Sequence, residues 1–317
     1  MRVLVRPELP FPKLKAETDT LVDEFADQDP YEPSWRDHLW RSARVLGTLR
    51  TMHGNSCAYC QGPLTHSDRG DVEHFRPKSK YWWLAYVFEN YLLSCARCNR
   101  VLKKAKFPLA PGKSRLQFGD GREPSDEGSL LIDPCVDPVD ALGIQLRGGR
   151  LWFLKAKSTA GQTDPKAQKT LEFFQLNQGV LVGDRQRAIS DALEEAQDIR
   201  DGRGKRSKLK KMASRYQPWG SWVRRILKKG FEDLLPTATE ELQLLTTDLR
   251  LDLETYEISL IDDPANKNTR RLRDETLWAL AVIRHSPPFG IDPAEVDGWL
   301  PDSHKPEIQE RLDLLNA

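Results

Sequence analysis

The chain has 317 residues, about twice an average domain, so one large or two modest folded units are expected. Hydrophobic residues make up 39%, enough for a buried core, and no run of about 18 apolar residues occurs, which excludes a membrane-spanning helix. The 48 basic and 47 acidic residues leave a net charge of +1, so bulk charge selects no class of partner.

That near-neutrality hides segregation. Residues 17–32 are acidic, residues 76–113 and 203–229 are dominated by Lys and Arg, and residues 232–263 reverse the sign. Local patches of this kind favour nucleic acid where the average does not. The opening Met-Arg-Val-Leu-Val-Arg-Pro is too short and too quickly polar for a secretory signal, so a cytoplasmic protein is expected.

In chain order, residues 1–30 carry prolines and scattered acids and read as an extended arm. Trp35 to Thr51 has Leu39, Ala43, Leu46 and Leu49 at helical spacing, with Pro33 or Ser34 as a start and His53-Gly54-Asn55 as a stop. Val72 to Phe75 alternates like a hairpin strand, Tyr81 to Phe88 reads as a short helix, Asn90 to Ser94 as an extended piece, and Cys98 to Ala105 as a helix. Leu130 to Asp133 reads as a strand ended by Pro134. Residues 144–146 and 151–154 flank Gly148-Gly149 as a hairpin. Helices are expected over 166–176, 183–201, 219–229, 239–255 and 270–284, with 203–211 as a basic loop or helix extension. The implied division is 1–54, an arm and helix; 55–110, a compact chemical unit; 111–160, loops and a hairpin; and 161–317, a mainly helical region.

Four of the five cysteines fall in two CxxC pairs, Cys57-Ala-Tyr-Cys60 and Cys95-Ala-Arg-Cys98. In a cytosolic chain this reads as metal binding rather than disulfides, with Cys135 left as a reduced thiol. Paired CxxC knuckles present sulfurs at the separation a tetrahedral zinc requires, and four thiolates make a closed, structural site. His53 and His66 are possible substitute ligands. The gap from Cys60 to Cys95 is longer than a zinc ribbon needs, so an element is inserted there: Asp71-Val-Glu73-His74-Phe-Arg-Pro-Lys78.

Val72-Glu73-His74-Phe-Arg-Pro, followed by Asn90 through Cys95-Ala-Arg-Cys98-Asn99-Arg-Val-Leu-Lys103-Lys104, resembles the HNH nucleases of the ββα-metal superfamily over roughly 50 residues. The resemblance implies an α+β fold: a small ββα-metal core stapled by zinc and embedded in a mainly helical protein. It implies hydrolysis of DNA, with RNA as an open alternative. His74 would be the general base, since a neutral imidazole near pH 7 can take a proton from water. Asn90 would orient it, and Glu73 with Asn99 would hold a catalytic Mg or Mn ion, which oxygen donors suit. Glu73 stands where the family often has Asp or His, and Asn99 where it often has a final His. Asp71, two residues from Glu73 along the strand, is a rival ligand.

Arg76, Lys78, Arg97, Arg100, Lys103 and Lys104 flank this unit and are expected on the phosphate backbone. The run from Arg203 to Lys229 is a second candidate surface. Trp219 and Trp222 within it are either base-stacking platforms or core. Trp82, Trp83 and Phe88 read as core.

More loosely, Phe107-Pro108-Leu109, Leu131-Ile132-Asp133-Pro134 and Thr170-Leu171 through Asn177 with Arg185 and Arg187 resemble larger HNH proteins of anti-phage defence, such as the nuclease subunit of Septu and retron-linked systems. There the nuclease works with an ABC/SMC-like ATPase. No GxxxxGK[ST] loop is present here, so ATP dependence would need such a partner. The alternatives are an inactive zinc-knuckle adaptor that binds nucleic acid, and a ribonuclease.

Overall fold

The computed structural model describes residues 1, 3–26, 33–65, 68–147 and 151–316. Among the described residues helices dominate, and three two-stranded antiparallel sheets complete a mixed α+β architecture. No helix among the described residues is long and apolar enough to cross a membrane.

The expected arm is partly helical. α1, Pro12–Phe25, starts on a proline whose missing amide costs nothing there, and it buries Leu14, Glu17 and Leu21. Glu17 accepts from Arg36 at 2.8 Å, so one of the early acids faces the protein. The single helix expected over 35–51 is two: α2, Asp37–Trp40, and α3, Ala43–His53. Ser42 divides them by turning extended and capping α3, its hydroxyl accepting from the Val45 amide. That break lets Trp40 turn toward the hairpin.

β1, Asp71–His74, pairs with β2, Tyr91–Ser94, and a seven-residue π-helical segment, Arg97–Lys103, follows. Residues 130–133 are bent and irregular instead of forming the expected strand, with one bridge between Leu109 and Ser129. β3, Leu142–Arg147, and β4, Leu151–Ala156, form the predicted hairpin, whose tip at 148–150 lies outside the described residues. A minute pair, β5 (Ser158–Thr159) and β6 (Gln162–Thr163), leads into the helical region.

There α4 is Pro165–Phe173, α5 Gly179–Arg200, α6 Arg206–Ala213, α7 Gly220–Leu227, α8 Ala238–Asp262, α9 Lys267–His285, α10 Pro293–Asp297 and α11 Lys305–Asn316. α8 opens on a capping box between Thr237 and Glu240, and Asn266 caps α9. One core runs from Leu14 and Trp40 through Leu92 to Phe174 and Trp222; a second joins Leu245 and Leu253 to Leu280 and Ile308.

α3 and α9 pack closely where Gly47 faces the Glu275 carbonyl, and Arg50 and Glu275 form a buried ion pair at 3.1 Å. Gly54 ends α3 at φ 53°, and a Cβ there would lie 2.3 Å from the Tyr216 carbonyl oxygen. Trp219 donates its amide to Gln61 O at 3.0 Å. The segment before α7 therefore braces the first CxxC knuckle.

A Cβ at position 47 would fall 2.6 Å from the Glu275 carbonyl and 3.0 Å from the Ala279 amide, both backbone atoms that cannot swing aside. Gly47→Ala is expected to destabilise the chain by ~1–3 kcal/mol, read as a lower denaturation midpoint in urea. An unchanged midpoint would contradict the α3–α9 packing.

Candidate active site

The sulfurs of Cys57, Cys60, Cys95 and Cys98 all lie within 4.8 Å of one another. Ligands about 2.3 Å from a tetrahedral zinc stand about 3.8 Å apart; Cys60 and Cys95 are separated by 3.9 Å. The donor set therefore fits a four-thiolate structural metal such as zinc. Local backbone builds each knuckle: Gln61 donates its amide to Cys57 O and Gly62 to Cys60 Sγ, while Asn99 donates to Cys95 O. Burial opposes ionisation at Cys57, but hydrogen bonds from the other three thiols outweigh it and bring that thiol well below its ordinary range. Cys60 and Cys98 shift upward, pushed first by the thiol hydrogen bonds around Cys57. Cys135 stands apart, its thiol raised to about 12 by burial. The His53 Nε2 accepts from the Leu93 amide at 3.2 Å, and His66 lies outside the described residues.

The cluster ties the first knuckle to the end of β2 and thus to β1. On β1, His74 is buried between Trp40 and Tyr91, whose rings meet it edge-on at 5.0 and 5.1 Å. Its Nε2 is 2.9 Å from Ala85 O. A carbonyl can only accept, so Nε2 carries the proton and Nδ1 keeps a lone pair. Burial lowers the imidazole to about 4, with Lys78 and Lys103 adding to the effect and the Ala85 carbonyl opposing it. The ring is neutral at pH 7.

Asn90 braces the same loop. Its Oδ1 accepts from the Arg76 amide at 2.8 Å, and its Nδ2 donates to Arg76 O at 2.9 Å and Leu84 O at 3.2 Å. Asn90 thereby links the exit of β1 to the turn that presents Ala85 O. Tyr91 adds a hydroxyl donated to the same carbonyl at 2.6 Å. The motif signalled Asn90; nothing local signals a backbone carbonyl or Tyr91.

The oxygen donors divide differently from the expected Glu73–Asn99 pairing. Glu73 is 2% exposed and lies 2.5 Å from Lys103 Nζ, with the Tyr59 hydroxyl donating to it at 3.3 Å. Burial raises its carboxyl, and Lys103 counters this. Lys103 also donates to His74 O at 2.8 Å. Asn99 instead meets Asp71, donating Nδ2 to Oδ2 at 3.3 Å, and Arg100 grips Asp71 through two nitrogens. Asp71 and Asn99 both line an open cleft of about 760 Å³.

No family model matches the chain, and no solved structure matches it. A Septu protein is similar in sequence. The Septu protein PtuB of Bacillus mycoides (strain KBAB4) is 29% identical over 177 residues, 51% of this chain and 57% of that protein. The match thus spans little more than half of the relative's length.

The flanking basic residues sort by exposure. Arg100 and Lys104 are exposed. Lys78 stands over the Trp35 ring at 4.7 Å, and Arg97 donates to Phe174 O, Gln175 and Gln178. Arg76 pairs with buried Glu127 at 2.9 Å, and Lys103 is fully buried on Glu73. Much of the second basic run is paired with the protein's own carboxylates, although Lys205, Arg206, Lys228 and Lys229 are exposed. Lys208 pairs with Glu195, Lys210 with Glu240, Lys211 with Asp248, and Arg215 and Arg224 with Glu241. Trp219 and Trp222 are buried, so they are core, not stacking platforms. Sequence reasoning missed Trp40, Arg41, Arg69 and Arg271, which also line the cleft; they come from distant stretches, with no shared motif.

The purified chain is expected to hold one zinc ion, measured by elemental mass spectrometry. Cys98→Ser should lose most of it and unfold at lower temperature, because metal affinity and folding are coupled. Full metal content and unchanged stability in the variant would contradict the four-sulfur site.

Proposed function

We propose that this chain is a metal-dependent endonuclease that hydrolyses DNA phosphodiester bonds, with His74 as general base, and that it serves anti-phage defence. The observation that carries the reading is the tautomer of His74: a neutral ring, its Nε2 committed to Ala85 O, its Nδ1 left to accept a proton. The strand–strand–helix order around a four-cysteine centre supports it. The similarity to a Septu protein supports the defence role; an ABC/SMC-like ATPase partner is what the sequence resemblance implies.

In this mechanism Nδ1 of His74 takes a proton from water as the water oxygen bonds to phosphorus. Asn90 and Tyr91 fix the loop that holds the ring. Trp40 stands edge-on to the imidazole and also lines the cleft, so its buried indole separates the ring from the cleft and would have to shift for water and phosphate to reach Nδ1. Asn99 and a β1 carboxylate would hold a Mg or Mn ion, which when bound supplies positive charge to the phosphate and the leaving oxygen. Asp71 is the nearer candidate for that carboxylate, being beside Asn99 at the cleft; it would have to leave Arg100, as Glu73 would have to leave Lys103.

Supercoiled plasmid incubated with zinc-loaded protein and Mg²⁺ or Mn²⁺ should be nicked, and His74→Ala should cut at least about 100-fold more slowly. If both proteins are inactive, alone and with an ATPase encoded beside the gene, the adaptor reading replaces this one. Cleavage of RNA but not DNA would make the chain a ribonuclease.

The two carboxylates are separable in the same assay. Asp71→Asn is expected to slow cutting more than tenfold with little change in melting temperature. Glu73→Gln should lower the melting temperature, since it leaves a buried Lys103 charge uncompensated. The reverse pattern would return the ion to Glu73.

A further inference from the structure

The cleft beside Asp71 and Asn99 has a wall from the far end of the chain. Arg41 precedes α3, Arg69 precedes β1, Arg100 lies on the π-helical segment, and Arg271 and Asn268 belong to α9; all line this one cavity. Along residues 208–224, basic side chains meet carboxylates that neutralise them. Here the balance differs. Arg69 donates to the Tyr256 hydroxyl at 2.7 Å rather than to a carboxylate among the described residues, and its Nε has no hydrogen-bond partner. Arg271 shares Glu275 with buried Arg50, so one carboxylate serves two guanidiniums, and Arg271 itself is 49% exposed. Arg41 is held only by an exposed pair with Asp37, which water and salt screen. Among the described residues Asp71 is the sole carboxylate lining the cleft, and Arg100 takes it.

The geometry points to a phosphate clamp: α9 closes over the backbone of duplex DNA entering this cleft, with Arg271 and Arg69 gripping phosphates on the side opposite Asn99. The inference rests on the nuclease reading above and adds that the C-terminal helices form half of the substrate channel. Guanidiniums suit this task because their planar fork matches phosphate oxygens two at a time. Trp40 is the one aromatic ring in the lining, so the cleft holds backbone rather than stacking bases, and binding should not depend on sequence.

The test is binding of a fluorescein-labelled duplex of arbitrary sequence by the full zinc-loaded chain, followed by anisotropy without added Mg²⁺ or Mn²⁺, across a salt series. Arg271→Ala should weaken binding about five- to tenfold and flatten the slope of log affinity against log salt by about 0.9, the loss of one phosphate contact. Arg271→Lys should recover part of the affinity. Arg203→Ala, which removes an arginine already paired with Asp198 and Asp201, should stay within about twofold of wild type. Melting curves for each variant separate lost contact from lost fold, and Arg69→Lys provides a second, milder variant. Wild-type affinity and salt slope in a folded Arg271→Ala protein would overturn the clamp, as would equal losses in Arg203→Ala. Plasmid cleavage that still depends on His74 would leave the nuclease reading standing in either case. Preference for an RNA duplex over DNA would overturn the stated substrate.

Discussion

Four sulfur atoms make neighbours of two stretches that are thirty-five residues apart at Cys60 and Cys95. Two four-residue strands cannot stand alone in water, because a hairpin this small buries too little to offset the entropy of ordering it. The cluster supplies the missing constraint. It fixes where β2 ends and where the π-helical segment begins, and therefore where Asn99 and Lys103 face the hairpin. Tyr59, inside the first knuckle, stacks on Phe174 and reaches Glu73, so the cysteine cluster, the helical region and β1 share one packed core.

Within that frame the polar groups of the hairpin divide into two sets. Glu73 is sealed against Lys103 on one side of β1, while His74 points to the other, as alternation along a strand requires. A buried ion pair of this kind contributes little net stability, but breaking it is costly, so it fixes the register between strand and helix. Asp71, at the open end of the same strand, faces the cleft with Asn99 and Arg100. The candidate ion-holding side chains Asp71 and Asn99 thus lie on the rim of the module, while His74 and the Glu73–Lys103 pair lie inside.

The short elements around the cysteines were legible because turn residues, alternation and motif spacing are local signals. The hairpin 71–94 and the helical turn after Cys98 fall within a residue or two of expectation. The arm was misread because α1 has only a narrow apolar face, Leu14 and Leu21, among charges. The break at Ser42 was missed because the apolar period runs on across it. Glu73's partner was not foreseen, since Lys103 read as one more member of a basic patch. The charged runs misled for a related reason: the acids of α8 that neutralise residues 210–224 lie 17 to 37 residues away, and a linear reading treats each run as a separate surface. The arginine-lined cleft was invisible from sequence because its wall gathers single residues from four separate stretches.

The central claim is that the sulfur-pinned hairpin, the His74 ring and the arginine-lined cleft form one phosphodiester-cleaving site. A crystal structure of the full zinc-loaded chain with a DNA duplex and Ca²⁺ in place of the catalytic ion addresses it most directly. The account predicts one phosphate within hydrogen-bonding reach of a water on His74 Nδ1, with Asn99 on one side and Arg271 on the other. DNA seated on a different face, with the His74 imidazole still sealed behind Trp40, would contradict it.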